Sequence, residues 1–172
     1  MKRLIVVFVL VLVAAVAYRS FGSAETGTGT LTLPQPAPNV GQDAHGFTAR
    51  SAEGKPFTLS DKGIYVLTFW STLNEGSNDA RAGFAQLARE YSGDGVSFAV
   101  VYVNSAPTDT DAPYTMLQDP TGKLTSWYNV KRVPRLFMVQ NGEIKLVQSG
   151  YYEGYKAELE AALKDALADN ES

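Results

Sequence analysis

The sequence predicts an α/β domain in three layers, in which helices flank a central mixed β-sheet and a β-hairpin precedes that sheet. Two apolar, β-branched runs, Ile64 to Trp70 and Val96 to Val103, enclose a helical pattern over 75–92. A strand–helix–strand crossover of this kind makes its two strands parallel. Asn141-Gly142 joins two further strand-like runs and is typical of a type I′ hairpin. The sheet therefore combines parallel and antiparallel strands.

Composition limits the size of the core and excludes several functions. The chain has 172 residues, of which 45% are hydrophobic, enough for one medium domain with an extension. The net charge of -3 argues against nucleic-acid binding, and the longest basic run, Lys131-Arg132 with Arg135 close behind, is too short to change this interpretation. With no cysteine and one histidine, disulfides, thiolate chemistry and Cys/His metal cages are excluded. We expect no metal and no cofactor.

The first residues have the pattern of an export signal. Lys2 and Arg3 precede an uncharged apolar run from Leu4 to Ala17, and residues 15–17 form a small-x-small cleavage site. The run would cover roughly 21 Å as a helix, short of the roughly 30 Å hydrocarbon core, which favours cleavage. Arg19 can lengthen the span by snorkelling, so an uncleaved anchor stays an alternative. Both alternatives place the rest of the chain outside the cytoplasmic membrane, in the periplasm or on its outer face.

Changes in composition predict the domain boundaries. Gly, Ser, Thr and Pro dominate the segment after the apolar run, as in flexible tethers. We divide the chain into a signal peptide or single-pass membrane anchor (1–19), a flexible linker (20–38), one α/β domain (39–168) and a disordered tail (169–172).

The remaining elements follow from periodicity and turn residues. A short hairpin is predicted around Glu53-Gly54, and the helix over 75–92 has its apolar positions at i, i+3, i+4 and i+7 with Gly93 as its stop. The final helix has one apolar stripe. The other predicted elements are strands Phe47 to Arg50, Phe57 to Leu59, Tyr114 to Leu117, Arg135 to Gln140 and Glu143 to Gln148, and helices Lys123 to Asn129 and Glu153 to Ala168.

Several short motifs occur in the order and spacing of a known family. They are Ala44 with Phe47, the run Glu53-Gly54-Lys55-Pro56, the strand end Phe69-Trp70-Ser71-Thr72, and Val133-Pro134 followed by the Asn141-Gly142 hairpin. In these motifs the chain resembles the TlpA-like thiol-disulfide oxidoreductases, redoxins of the AhpC-TSA type in the thioredoxin superfamily. The resemblance covers about 39–168 and implies a thioredoxin-like fold.

The chain departs from this family at the centre of the active site. The family has Trp-Cys-x-x-Cys where this sequence has Leu73-Asn74-Glu75-Gly76-Ser77, so Asn74 and Ser77 stand at the two sulfur positions. Disulfide exchange needs a thiolate that attacks sulfur, and peroxidase chemistry needs a thiolate that becomes a sulfenic acid. We therefore predict no catalytic residue. Asn74 is a favourable helix N-cap, and Ser77 is an ordinary first-turn residue. His45, the only histidine, aligns with the start of the domain, away from Ser77.

The resemblance also implies a loop with a cis bond before Pro134, whose backbone pairs with an extended polypeptide without using sulfur. The alternative is that Pro134 only shapes the start of the next strand. Trp70 has the same ambiguity, since aromatic residues at strand ends often belong to the core. Tyr151 and Tyr152 form either a partner-facing patch or packing at the start of the last helix. The predicted groove residues are Trp70, Thr72, Leu73, Glu75, Val133 and Pro134.

Three functional hypotheses follow. The first is a non-catalytic module that binds or scaffolds a polypeptide partner in the cell envelope. The second is an enzyme with residual redox activity, through a thiol supplied by a partner or through other chemistry at Glu75 and Ser77. The third, an assembly factor tethered to the membrane, rests on analogy of fold alone.

Overall fold

Seven strands and three helices make up the part of the chain that the computed structural model describes, residues 37–107 and 111–170. The predicted segment 1–19 and nearly all of the predicted linker 20–38 lie outside these residues. No helix within the described ranges has the length and apolar character needed to cross a membrane. The strands are β1 (Phe47–Arg50), β2 (Pro56–Leu59), β3 (Ile64–Trp70), β4 (Val96–Tyr102), β5 (Thr115–Gln118), β6 (Arg135–Gln140) and β7 (Glu143–Ser149), and the helices are α1 (Glu75–Tyr91), α2 (Lys123–Trp127) and α3 (Tyr155–Asn170).

The central sheet has the order β5-β4-β3-β6-β7. Strands β3, β4 and β5 are parallel, while β6 runs antiparallel to both β3 and β7. β1 and β2 form the predicted N-terminal hairpin as a separate antiparallel pair. This arrangement confirms the predicted mixed sheet and the thioredoxin-like fold class.

Two apolar clusters cover the two faces of the sheet, because neighbouring side chains of a strand point to opposite faces. On β3, Val66 and Trp70 pack with α1 and α3, whereas Leu67 and Phe69 pack with the β1–β2 hairpin and α2. All four side chains are at most 1% exposed. Burial of one such side chain contributes roughly 1.5–3 kcal/mol to folding. The sheet is therefore the middle of three layers, and its ends hold the loops that form the site.

Helix boundaries differ from the predictions by one or two residues. α1 ends at Tyr91 and passes into a short 3₁₀ turn, Ser92–Asp94. Gly95, with φ +86°, ends this 3₁₀ turn, and the predicted stop, Gly93, lies within the turn. α2 ends at Trp127 because Asn129 has φ 44°, in the left-handed region. α3 starts and ends two residues later than predicted.

The β6–β7 hairpin has the turn that its sequence predicts. Asn141 has φ 50° and Gly142 has φ 82°, and two positive φ values in a two-residue loop define type I′. The side chain of Asn141 also accepts a hydrogen bond from the amide of Gly63 over 3.0 Å. This turn lies at the opposite end of the sheet from Pro134, which precedes β6.

Candidate functional site

The site begins where β3 ends and the chain turns into α1. Asn74 has an extended backbone, with φ -108° and ψ 122°, and its Oδ1 accepts a hydrogen bond from the Ser77 amide over 2.9 Å. This geometry confirms that Asn74 is the N-cap, which satisfies one of the amides that a helix start leaves unpaired. Glu75 follows as the first helical residue and is exposed, a position where a carboxylate is favoured by the helix dipole.

Ser77 is enclosed by the same turn. Its side chain is 2% exposed, its hydroxyl donates to Asn74 Oδ1 over 3.0 Å, and its Oγ accepts from the Ser71 amide over 3.4 Å. No general base contacts it among the described residues: His45 is exposed and packs against Trp127 in a tilted arrangement, with 4.2 Å between ring centroids. A serine nucleophile needs a base within hydrogen-bond reach, so Ser77 has a structural role.

Thr72 is fixed by a second pair of hydrogen bonds. Its hydroxyl accepts from Asn104 Nδ2 over 2.7 Å, and its amide donates to Asn104 Oδ1 over 3.2 Å. The side chain is half-buried, so only part of it is accessible to a partner. These bonds join the loops that follow β3 and β4 and hold the chain before the N-cap in one conformation.

Pro134 lies against the first turn of α1. The Val133–Pro134 peptide bond is cis, and the Pro134 carbonyl accepts from the Gly150 amide over 2.8 Å. A Cβ atom built on Gly76 would lie 3.3 Å from both Pro134 Cδ and Tyr151 Cβ. Segments distant in sequence therefore meet at Gly76, and Pro134 is buried at the floor of the site.

A polar network fixes the segment that carries Tyr151. Tyr152 donates a short hydrogen bond to Glu158 and accepts one from the buried Gln148. Desolvation, followed by the bond to Glu158, raises the pKa of Tyr152 to about 12, and the same bond lowers the pKa of Glu158. Tyr155 is the buried first residue of α3, whereas Tyr151 and Tyr152 remain partly exposed. Tyr155 therefore packs at the start of the last helix, while a partner-facing role of Tyr151 and Tyr152 stays a prediction.

Exposed apolar groups flank the buried Pro134. Leu73 is 89% exposed and Tyr151 is 50% exposed, while Val133 is half-buried. We call these three residues the apolar patch. The backbone N–H and C=O of Val133 make no hydrogen bond within the described residues. An apolar surface next to an unpaired backbone has the chemistry of a polypeptide-binding site.

Comparison with protein families identifies the chain. The model of the AhpC/TSA family matches residues 40–147, more than half of the sequence. The chain belongs to the AhpC/TSA family. No curated protein matches it. This AhpC/TSA domain carries Asn74 and Ser77 at the sulfur positions and has no cysteine, so its active site is degenerate.

Solved structures share the fold at low sequence identity. A candidate DsbE-type thiol:disulfide interchange protein from Chlorobium tepidum has 24% identity and a TM-score of 0.67 over 75% of this chain and 98% of that one. A secreted disulfide oxidoreductase of Mycobacterium tuberculosis has 20% identity and a TM-score of 0.59, covering 69% and 95%. The exposed lipoprotein thioredoxin Etrx1 of Streptococcus pneumoniae has 20% identity and a TM-score of 0.60, covering 70% and 99%.

Trp70 does not belong to the surface of this AhpC/TSA site. Its side chain is 1% exposed and packs against Phe84 and Tyr102, with centroid distances of 5.2 and 6.4 Å. The prediction that Trp70 lines the groove is therefore wrong. The physical reason is strand alternation, which continues to the last residue of β3 and turns the indole towards α1.

A basic pocket next to Pro134 was not among the predicted site residues. Lys131, Arg132 and Arg135 line a cavity of about 220 Å³ together with Ala37, Asn129 and Ser149. The Arg135 guanidinium donates to Ser149 Oγ and lies over the Phe137 ring, and partial burial lowers its pKa. It remains a cation at any physiological pH. The sequence carries a signal for this pocket, because the three cations fall within five positions.

The described residues offer no metal site. No group of three or more His, Asp or Glu side chains within residues 37–107 and 111–170 is arranged to hold an ion. Asp119, a buried carboxylate, accepts hydrogen bonds from the amides of Leu124 and Thr125 and from the Thr125 hydroxyl. Its oxygens therefore cap the start of α2.

Proposed function

We propose that this chain is a non-catalytic polypeptide-binding or assembly module, exported to the cell envelope, that uses the surface around Pro134. The observation that carries the proposal is the contact of Gly76, Pro134 and Tyr151 at a site where Asn74 and Ser77 occupy the sulfur positions. The chain therefore has the kind of surface that surrounds a redox centre. Asn74 and Ser77, which form a helix cap, stand in place of the groups that would transfer electrons.

The chemistry of the site supports a role other than thiol exchange. A disulfide is broken by a thiolate, and neither a carboxamide nor a hydrogen-bonded hydroxyl replaces that nucleophile. Asn74 and Ser77 are also engaged with each other, so neither side chain is free to react. The disulfide oxidoreductase activity named for the similar structures thus lacks its reacting atoms here.

The apolar patch supports binding of a polypeptide. A β-strand partner gains affinity from backbone hydrogen bonds and specificity from side-chain contacts, and the patch offers both kinds of group. Val133 supplies an N–H and a C=O that make no hydrogen bond within residues 37–107 and 111–170, and Leu73 and Tyr151 supply exposed apolar surface. Among the large apolar side chains of the described residues, Leu73 is the most exposed, at 89%.

The proposed location rests on the leader pattern of Lys2, Arg3 and the apolar run Leu4 to Ala17. Similar structures include a secreted protein and an exposed lipoprotein. N-terminal sequencing of the chain recovered from fractionated cells tests this part. A start near residue 18 in the envelope fraction indicates a cleaved signal, an intact N-terminus in the membrane fraction indicates an anchor, and an intact chain in the cytoplasm contradicts export.

Selection of peptides tests the binding function. A displayed library of random decapeptides is enriched on the folded domain, residues 37–172, and the affinities of the selected peptides are measured by fluorescence anisotropy. We expect Leu73→Ser and Tyr151→Ser each to weaken binding by about tenfold, since each removes an exposed apolar contact.

Val40→Ser provides a matched control. Val40 is 59% exposed and lies near the start of β7, at the opposite end of the sheet. We expect this variant to bind as the wild type does. A library that yields no binder, or binders that are equally affected by Val40→Ser and Leu73→Ser, would contradict the proposed function. Turnover of a disulfide substrate by the cysteine-free chain would favour the enzyme hypothesis instead.

A further inference from the structure

We propose that the basic pocket binds an aspartate or glutamate side chain of the polypeptide held at the apolar patch. This inference rests on the proposed function and specifies its ligand: an extended segment with an acidic residue beside an apolar one. The pocket consists of Lys131, Arg132 and Arg135 around a cavity of about 220 Å³.

The three cations have no partner of opposite charge within the described residues. The ion pairs found there join Lys55, Lys145 and Lys164 to nearby glutamates, and none involves the pocket. Arg135 is held in place by Ser149 and the Phe137 ring, so its guanidinium is oriented before a ligand binds. A pre-oriented guanidinium with free N–H groups matches a carboxylate.

The pocket adjoins the apolar patch through the backbone. Arg135 directly follows Pro134, and Ser149, which lines the pocket, is separated from Tyr151 only by Gly150. Lys131 and Arg132 directly precede Val133, and the chain bends through residues 132–134. An extended ligand that pairs with Val133 therefore places a side chain two or three residues away at the cationic groups.

The size and surroundings of the pocket favour a polypeptide over other anions. A water molecule occupies roughly 30 Å³, so the cavity has room for one carboxylate side chain and a few waters. A phosphate ion or a lipid headgroup would leave the neighbouring Leu73, Tyr151 and unpaired Val133 backbone unused. A peptide with a carboxylate satisfies all of these groups together.

A double-mutant cycle tests the inference with the selected decapeptides. We expect them to carry a glutamate or aspartate beside an apolar residue, and substitution of that residue by its amide should weaken binding by about tenfold. Arg135→Gln should produce a similar loss. Applied together, the two changes should cost little more than either alone, since both remove the same contact.

Variants at exposed positions test the inference even if Arg135→Gln fails to fold. Lys131→Gln with Arg132→Gln changes two exposed side chains and should weaken binding about threefold. Lys62→Gln with Arg89→Gln makes the same change in charge at the opposite end of the sheet and should leave affinity unchanged.

Three results would overturn the inference. In the first, the selected peptides bind wild type and Arg135→Gln equally, which leaves the proposed function intact. In the second, the peptides carry no acidic residue, while phosphatidylglycerol vesicles bind with the same dependence on Arg135. In the third, inorganic phosphate competes with the acidic peptides and with their amide forms alike.

Discussion

The amide of Ser77 donates to Asn74 Oδ1 over 2.9 Å, so the residue at one sulfur position caps the helix that begins between the two. The Ser77 hydroxyl donates to the same oxygen over 3.0 Å. A thiol pair at these positions would leave the helix start without a strong side-chain acceptor. Asn74 therefore gives this helix start a side-chain cap that a thiol pair would lack.

Removal of this cap should destabilise the domain. We expect Asn74→Ala to lower the free energy of unfolding by about 1 kcal/mol, as is usual for an N-cap, and Asn74→Ser to retain most of the stability. Urea unfolding at equilibrium measures both. If Asn74→Ala is as stable as wild type, the capping hydrogen bond contributes nothing and this account of Asn74 fails.

Two glycines of α1 should respond differently to the same substitution. The nearest atoms to a Cβ on Gly83 would belong to the flexible Lys156 side chain, at 3.5 Å, so Gly83→Ala should stabilise the helix by roughly 0.5–1 kcal/mol. A Cβ on Gly76 would lie 3.3 Å from Pro134 and Tyr151, a tighter contact. Gly76→Ala should therefore be clearly less stable than Gly83→Ala in thermal unfolding and should weaken peptide binding. Equal gains in stability would show that Pro134 and Tyr151 are not closely packed on α1.

The double variant Asn74→Cys/Ser77→Cys should regain a disulfide. The side-chain oxygens of these residues are 3.0 Å apart, and a thiol at a helix N-terminus has a lowered pKa. We expect the variant to form an intramolecular disulfide in air and, once dithiothreitol has reduced it, to reduce insulin faster than dithiothreitol alone, while wild type and each single variant do neither. A variant that folds but stays fully reduced in air would indicate that the two positions are not equivalent to the family's cysteines.

Local sequence signals were sufficient for the fold and for the cap. Strand periodicity, the Asn141-Gly142 turn and the preference of Asn for helix starts act over a few residues, so the elements and the role of Asn74 follow from the sequence. The Val133-Pro134 motif likewise predicts the loop that lies against the start of α1.

Contacts between distant segments were not predictable in this way. Tyr151 reaches Gly76 because α3, which follows it in the chain, packs beside α1, and no local pattern encodes that approach. Trp70 was misplaced because its position at a strand end fits both a core residue and a groove residue. The basic pocket combines Lys131 and Arg132, in the loop before β6, with Ser149 at the end of β7, and only the folded sheet brings them together.

Alkaline pH should destabilise the domain. Burial raises the pKa of the Tyr102, Tyr128 and Tyr155 phenols above the ordinary value of 10.0. The unfolded chain then loses these protons at lower pH than the folded domain, so the stabilisation is complete below pH 10 and is lost as the pH rises further. Thermal unfolding should show a midpoint that falls above pH 10. The fall should be smaller in Tyr128→Phe, and a midpoint independent of pH in this range would contradict the burial of these phenols.

Photo-crosslinking in the native cell is the most direct test of whether the domain binds a polypeptide partner without thiol chemistry. A photoreactive amino acid is introduced at position 73 in the apolar patch and, as a matched control, at the exposed position 40. The account predicts a discrete crosslinked polypeptide from position 73 that is absent from position 40 and is lost in Tyr151→Ser. Identical products from both positions, or none from position 73, would contradict it.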